Sequence, residues 1–195
     1  ISIGIDFAGD GADSTVIVVV NENRMLLKIK LSNGEDHYKI IEEVEKIEEQ
    51  YGKTNIISIV LDNTGGFGKA TYDTLKYTHD NLYPIHFAMK SKDEMCNNIR
   101  TYMYSYLADA IKAGFYIDPK EFELMEELKA TQFVSDNKGK RALIPKDQIK
   151  KLIGNKSPDT ADSLALAKLG YKLSEVTRNK IDMVDFRHQM DKMYL

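Results

Sequence analysis

The first 31 residues confine the fold more than any other stretch of the chain. Three apolar runs, Ile1 to Phe7, Thr15 to Asn21 and Arg24 to Leu31, are rich in Ile, Val and Leu and read as β-strands. Gly9 and Gly11 break the first pair, and Asn21-Glu22-Asn23 makes a tight connection between the second and third. A parallel pair needs a crossover of a dozen residues or more, so strands joined this closely are antiparallel neighbours.

The period then changes. Ile40, Ile41, Val44 and Ile47 recur at helical spacing among acidic residues, which predicts an amphipathic helix over 35–50. Ile56 to Leu61 is wholly apolar and suits a central strand covered on both faces. After Gly65, Gly66 and Gly68 a helix carries Tyr72, Leu75 and Lys76, and Leu82 to Ala88 with Pro84 forms the next strand, completing a β-α-β unit. Helical patterns follow over 92–113, 119–131, 145–153 and 158–171, with a polar hairpin over 131–143 turning at Asn137-Lys138-Gly139. From Ser174 onward charge and methionine dominate without a period. The expected organisation is therefore one domain over 1–173 and a C-terminal tail over 174–195 that is loosely held or docks elsewhere.

Composition narrows the class of partner. The formal net charge is −3, which excludes an overall basic coating that binds nucleic acid by phosphate neutralisation alone, so any such contact is local. No run reaches the ~18 apolar residues of a membrane span, and nothing resembles a signal sequence; a soluble, intracellular protein without a membrane partner is expected. Cys96 is the single cysteine, so an internal disulfide and a cysteine-only metal site are excluded; a small buried thiol in a helix is the expectation. His37, His79, His86 and His188 do not cluster with the acids and read as ordinary surface or core histidines. The chain opens at Ile1 directly in an apolar run, as a piece of a longer polypeptide would.

The acids carry the chemistry. Asp6 closes the first strand, after Ile1-Ser2-Ile3-Gly4-Ile5, and Asp62 closes the run Ile56 to Leu61 in the same way. A carboxylate at the end of a buried strand is costly unless it is paired or holds a metal. A third group lies in Ser157-Pro158-Asp159-Thr160-Ala161-Asp162-Ser163. Ser157 and Asp159 suit a helix cap, with Pro158 in the first turn, yet capping accounts for only one acid. Asp159 and Asp162 are three apart and share a helical face, and Ala161, Ser163 and Ala165 would let that helix approach a sheet closely. A lone aspartate at a strand end is more often a turn former or a cap. Three sites from separate elements instead match two-metal phosphodiester hydrolysis, in which Mg²⁺ or Mn²⁺ ions about 3.5 to 4 Å apart take carboxylates from several elements. Asp6 is assigned as the bridging ligand, Asp62 to one ion, and Asp159 with Asp162 to the other.

The element order is that of the ribonuclease-H-like superfamily: an α/β fold whose mixed sheet has three antiparallel strands then parallel strands, with helices on both faces. Three blocks, Gly4-Ile5-Asp6-Phe7-Ala8-Gly9-Asp10-Gly11-Ala12-Asp13-Ser14-Thr15, Leu61-Asp62-Asn63-Thr64-Gly65-Gly66-Phe67-Gly68 and Ser157-Pro158-Asp159-Thr160-Ala161-Asp162-Ser163-Leu164, resemble the nuclease domain of the large terminase subunit of tailed bacteriophages. That resemblance implies a Mg²⁺- or Mn²⁺-dependent endonuclease using two ions, which cuts concatemeric double-stranded DNA in the host cell cytoplasm during viral assembly. It also implies an amino-terminal ATPase domain in the same polypeptide, a small terminase subunit and a portal protein as partners. No Gly-x-x-x-x-Gly-Lys-Ser/Thr sequence occurs here, so the ATPase is not in these residues. Lys138, Lys140 and Arg141 in the hairpin, and Lys146, Lys150 and Lys151 on the next helix, are candidate DNA contacts, against the plainer reading of a solvated charged surface. Two alternatives stand beside this: a Holliday-junction resolvase or transposase-like nuclease of the same superfamily, and an actin-like or sugar-kinase ATPase fragment suggested by the first block alone.

Overall fold

The structure, a computed structural model, describes residues 1–8, 14–32 and 37–178. β1 (Ser2–Asp6), β2 (Thr15–Val20), β3 (Met25–Leu31), β4 (Ser58–Asp62) and β5 (Leu82–Ile85) form one sheet in the order β3-β2-β1-β4-β5. β1–β2 and β2–β3 pair antiparallel, whereas β1–β4 and β4–β5 pair parallel. This is the ribonuclease-H-like sheet that the strand order predicts.

Strand alternation sends the two sets of side chains to separate cores. Ile3, Ile5, Ile17, Val19, Ile59 and Leu61 pack against Ile40, Val44 and Ile47 of α1 (His37–Tyr51). On the opposite face Val16, Val18, Val20, Val60 and Ile85 pack with Met103, Tyr104 and Leu107 of α3 (Ile99–Lys112), Leu124 of α4 (Phe122–Ala130) and Leu164, Leu166 and Leu169 of α6 (Asp159–Arg178). α2 (Lys69–Leu75) joins β4 to β5. A short hairpin of β6 (Phe133–Ser135) and β7 (Arg141–Leu143) and then α5 (Lys146–Leu152) precede α6.

α6 lies directly on β1, β2 and β4 because the positions beneath it are small. A Cβ on Gly4 would fall 2.1 Å from the Ser163 carbonyl oxygen and 2.4 Å from the Ala167 nitrogen. One on Gly170 would fall 2.1 Å from Ser2 Oγ and 2.2 Å from Ser58 Oγ. The Ser163 hydroxyl lies 2.9 Å from the Gly4 carbonyl and 3.0 Å from that of Val16, so its one proton ties the helix to both strands. Ser2, Gly4 and Asp6 share the α6 face of β1 by alternation, and Asp6 therefore follows the two small residues toward the amino end of α6.

Three expectations change. The helix expected from residue 92 begins at Ile99, where the Asn98 side chain accepts the Thr101 N–H and fixes the start. Cys96 is buried but lies in the irregular segment before that helix, bridged to Arg141, and not in a helix. α6 runs through Arg178, past the helix end expected at residue 171, with Tyr83 Oη and Thr177 Oγ1 2.7 Å apart near its end. Residues 179–195, with His188, lie outside the described residues, as do residues 9–13 of the first motif.

Candidate active site

Asp6, Asp62, Asp159 and Asp162 all sit where the sheet's α6 face meets the first turn of α6, and all four are buried. Asp6 is 2% exposed, and among the described residues its carboxylate accepts no hydrogen bond. Burial pushes its pKa well above the ordinary carboxylate range, and Asp162, Asp62 and Asp159 push it further in the same direction, while Lys146 opposes them. The four acids therefore share one electrostatic site.

Each of the other three acids has its own protein donor. Asp62 Oδ1 accepts the Thr64 N–H at 2.8 Å and the Thr64 hydroxyl at 2.5 Å; Thr64 Oγ1 in turn accepts the Phe87 N–H at 3.0 Å. Burial raises the Asp62 pKa against the pull of those two bonds. The Thr64–Gly66 turn can fold this way because Gly65 and Gly66 take φ of 74° and 81°, which glycine adopts freely. Asp159 Oδ2 accepts the Ser14 N–H at 3.1 Å, so it joins the residue just before β2 to α6.

Asp162, fully buried, is the most heavily held. Arg100 of α3 donates to Oδ1 from Nε at 3.0 Å and from Nη2 at 2.9 Å, and reaches Oδ2 from Nη2 at 3.1 Å. Tyr104, one turn on, donates its hydroxyl to Oδ1 at 2.8 Å. Burial disfavours the Arg100 charge, but Asp162, Tyr104 and Asp6 outweigh it and hold the guanidinium above its ordinary pKa. Burial and the Asp162 charge likewise raise Tyr104, which keeps its proton to donate. Lys146, the first residue of α5, reaches within 3.7 Å of Asp162 Oδ2. Burial opposes its charge, and Asp162 and Asp6 raise its pKa nonetheless.

Sequence reasoning missed Arg100, Tyr104 and Glu127. A signal was present: Arg100, Tyr104 and Leu107 share one face of α3, and a charge on an otherwise apolar stripe needs a buried partner. Glu127 sits on the buried face of α4 beside Leu124 and Ala130 and accepts the Ala161 N–H at 2.7 Å. It thereby caps the turn that carries Asp159 and Asp162.

The basic residues divide. Lys146 is exposed, with its side chain 41% exposed, and its Nζ also comes within 3.7 Å of Asp162 Oδ2. Arg141 donates to the Ser105 hydroxyl and stacks on the Phe133 ring 5.4 Å away. Lys138 is exposed and Lys140 half-buried in the β6–β7 hairpin; Lys150 is half-buried and Lys151 exposed on α5. His79 bonds Glu48 at 2.5 Å, apart from the acids.

A divalent metal is tested by the donor set. Four hard carboxylates from β1, β4 and α6, one of them buried and without a hydrogen bond among the described residues, fit Mg²⁺ or Mn²⁺ in chemical type. Among the described residues, no three acid, histidine or cysteine side chains are already arranged to hold an ion, so binding entails drawing the carboxylates together against their mutual repulsion.

No family model matches the chain, and no curated protein sequence matches it. Solved structures do. The nuclease domain of the large terminase subunit gp2 of bacterial virus Sf6 is similar at a TM-score of 0.64 and 19% identity, over 86% of this chain and 87% of that one. The large terminase nuclease of thermophilic phage G20c with bound magnesium matches at 0.60 and 22%, over 86% and 79%. The nuclease domain of the large terminase of Thermus phage P74-26 matches at 0.55 and 20%, over 85% and 76%. The chain thus has the fold of these terminase nuclease domains.

Proposed function

We propose that the chain is the nuclease domain of a large terminase subunit, a metal-dependent endonuclease that cuts concatemeric double-stranded DNA. The observation that carries this reading is Asp6: a buried carboxylate that accepts no hydrogen bond among the described residues and is coupled to the charges of Asp62, Asp159 and Asp162, in a chain with the fold of terminase nuclease domains. A buried charge left unpaired is costly, and a cation is what such a group lacks.

Asp6, Asp62, Asp159 and Asp162 would hold the metal, with Asp6 central because all three of the others act on its charge. When bound, a pair of divalent ions supplies Lewis acidity and an activated water to phosphodiester hydrolysis. The G20c neighbour was solved with magnesium, which supports Mg²⁺, with Mn²⁺ as the alternative. Lys146 stands against Asp162 and offsets the negative charge of the cluster before a metal enters. Lys138, Lys140 and Arg141 on the hairpin, and Lys146 and Lys150 on α5, are the basic side chains proposed to reach the DNA backbone; Arg141 also bonds Ser105, and Lys146 also lies near Asp162. The proposed setting is viral assembly in the host cell cytoplasm, with an amino-terminal ATPase domain in the same polypeptide and a small terminase subunit and portal protein as partners.

The test is plasmid cleavage by this chain with Mg²⁺, with Mn²⁺ or with EDTA, beside Asp6→Asn and Asp162→Asn. Cleavage that needs a metal and both acids supports the reading. Plasmid left intact under every condition, including with added DNA ends and Mn²⁺, counts against it.

A further inference from the structure

Two of the four acids are presented in the same unusual way. Asp62 accepts both bonds from Thr64 on Oδ1, and among the described residues its Oδ2 accepts none. Asp162 takes three donors on Oδ1, from Arg100 Nε, Arg100 Nη2 and Tyr104 Oη, while Oδ2 takes a single bond from Arg100 Nη2 at 3.1 Å. A carboxylate offers about four lone-pair sites over its two oxygens, so three donors exhaust Oδ1. In each case Oδ1 is saturated by protein donors while Oδ2 keeps lone-pair capacity, that of Asp162 being shared with Arg100 Nη2 and, at 3.7 Å, Lys146 Nζ.

One segment builds both arrangements. The Phe87 N–H donates to Thr64 Oγ1, the Phe87 carbonyl accepts the Arg100 N–H at 3.3 Å, and the Phe87 ring lies 5.7 Å from the Arg100 guanidinium. Tyr104 flanks the guanidinium at 5.3 Å. Arg100 is therefore stacked, buried and permanently charged, and it cannot yield Oδ1 as a solvated side chain could.

We propose that Arg100, with Tyr104, is a specificity-determining positioning residue: by occupying Oδ1 of Asp162 it restricts that carboxylate to one metal contact through Oδ2 and so discriminates against Ca²⁺. The inference rests on reading the cluster as a divalent-metal centre. Ca²⁺ takes six to eight oxygens and commonly binds carboxylates through both, whereas Mg²⁺ demands an octahedron and is content with single oxygens. With Asp62 and Asp162 each held to one oxygen, the site has fewer oxygens to offer and penalises the larger ion. Removing the fork frees Oδ1 for chelation and loosens the geometry that the smaller ion needs.

The experiment measures Mn²⁺ bound to the 195-residue chain by electron paramagnetic resonance, then its displacement by Ca²⁺, in wild type, Asp6→Asn, Arg100→Lys and Tyr104→Phe, each checked for a cooperative melt. Arg100→Lys keeps the charge and removes the fork. The ratio of Ca²⁺ to Mn²⁺ affinity is expected to rise roughly tenfold in Arg100→Lys, the usual scale for a residue that orients a metal ligand, and to move less but in the same direction in Tyr104→Phe. Folded Arg100→Lys and Tyr104→Phe proteins with the wild-type ratio overturn the proposal while leaving the metal centre in place. Should Arg100→Lys fail to fold, Tyr104→Phe, which retains the buried charge, decides alone. If wild type binds no more Mn²⁺ than Asp6→Asn, the metal-centre reading fails, and the proposal falls with it.

Discussion

Glu127 reaches from α4 to accept the main-chain N–H of Ala161 at 2.7 Å, between the two aspartates of the α6 first turn. Burial pushes its carboxyl up to about 8, against the pull of that bond, with Glu123, Asp159 and Asp162 adding to the rise. The folded protein thus keeps a proton on Glu127 that the unfolded chain releases. A raised folded pKa contributes stability that is complete below the unfolded value and is lost as pH rises through about 8. The denaturation midpoint should therefore fall between acidic and mildly alkaline pH. Glu127→Gln should flatten that fall, because an amide accepts the Ala161 N–H without titrating; an unchanged slope sinks this account. The raised Asp6 and Asp62 act in the same direction, so some slope persists.

Asp6→Asn removes a buried charge that three like charges disfavour. Metal-dependent cleavage should drop to background while the melting temperature at neutral pH rises by a few degrees. A variant that melts lower than wild type assigns Asp6 a structural role.

Breaking the Arg100–Asp162 pair by removing Arg100 leaves Asp162 fully buried with, among the described residues, only the Tyr104 hydroxyl and the more distant Lys146 to offset its charge. Arg100→Met should lower stability by about 3–5 kcal/mol in a chemical denaturation experiment. Adding Asp162→Leu to Arg100→Met should recover most of that loss, since a well-packed apolar pair replaces a buried ion pair at little cost. Equal stabilities for the single and double variants contradict the pairing.

Gly4→Ala should destabilise by about 1–3 kcal/mol or more, since the new methyl meets backbone atoms of Ser163 and Ala167 that cannot rotate away. Cleavage should fall with stability, because α6 carries Asp159 and Asp162 as it is displaced. Wild-type stability in Gly4→Ala argues against the close seat of the helix.

How much of this was legible in the sequence differs by element. The antiparallel β1–β2–β3 order followed from link lengths, because chain connectivity leaves little choice there. The four acids were legible because each interrupts an apolar or small-residue run. Arg100 and Glu127 were not found, since their meaning depends on which faces of α3 and α4 meet α6, and a single helical pattern does not encode its partner. Lys146 is exposed as its sequence suggests, and its approach to Asp162 was not legible because it depends on how α5 packs beside α6. The end of α6 was placed too early, since tertiary packing carries the helix on where the apolar period fades: Ser174 is buried, and Tyr83 meets Thr177.

The small-residue seat under α6 also has a proofreading consequence. In β1 the side chains alternate Ser2, Ile3, Gly4, Ile5, Asp6, and a slip of one residue would exchange the two faces. Isoleucines would then stand where a single methyl already collides with the helix backbone. The helix can close only on the register that also delivers Asp6 to the acids, so misassembled strands are rejected by the same contact that completes the site.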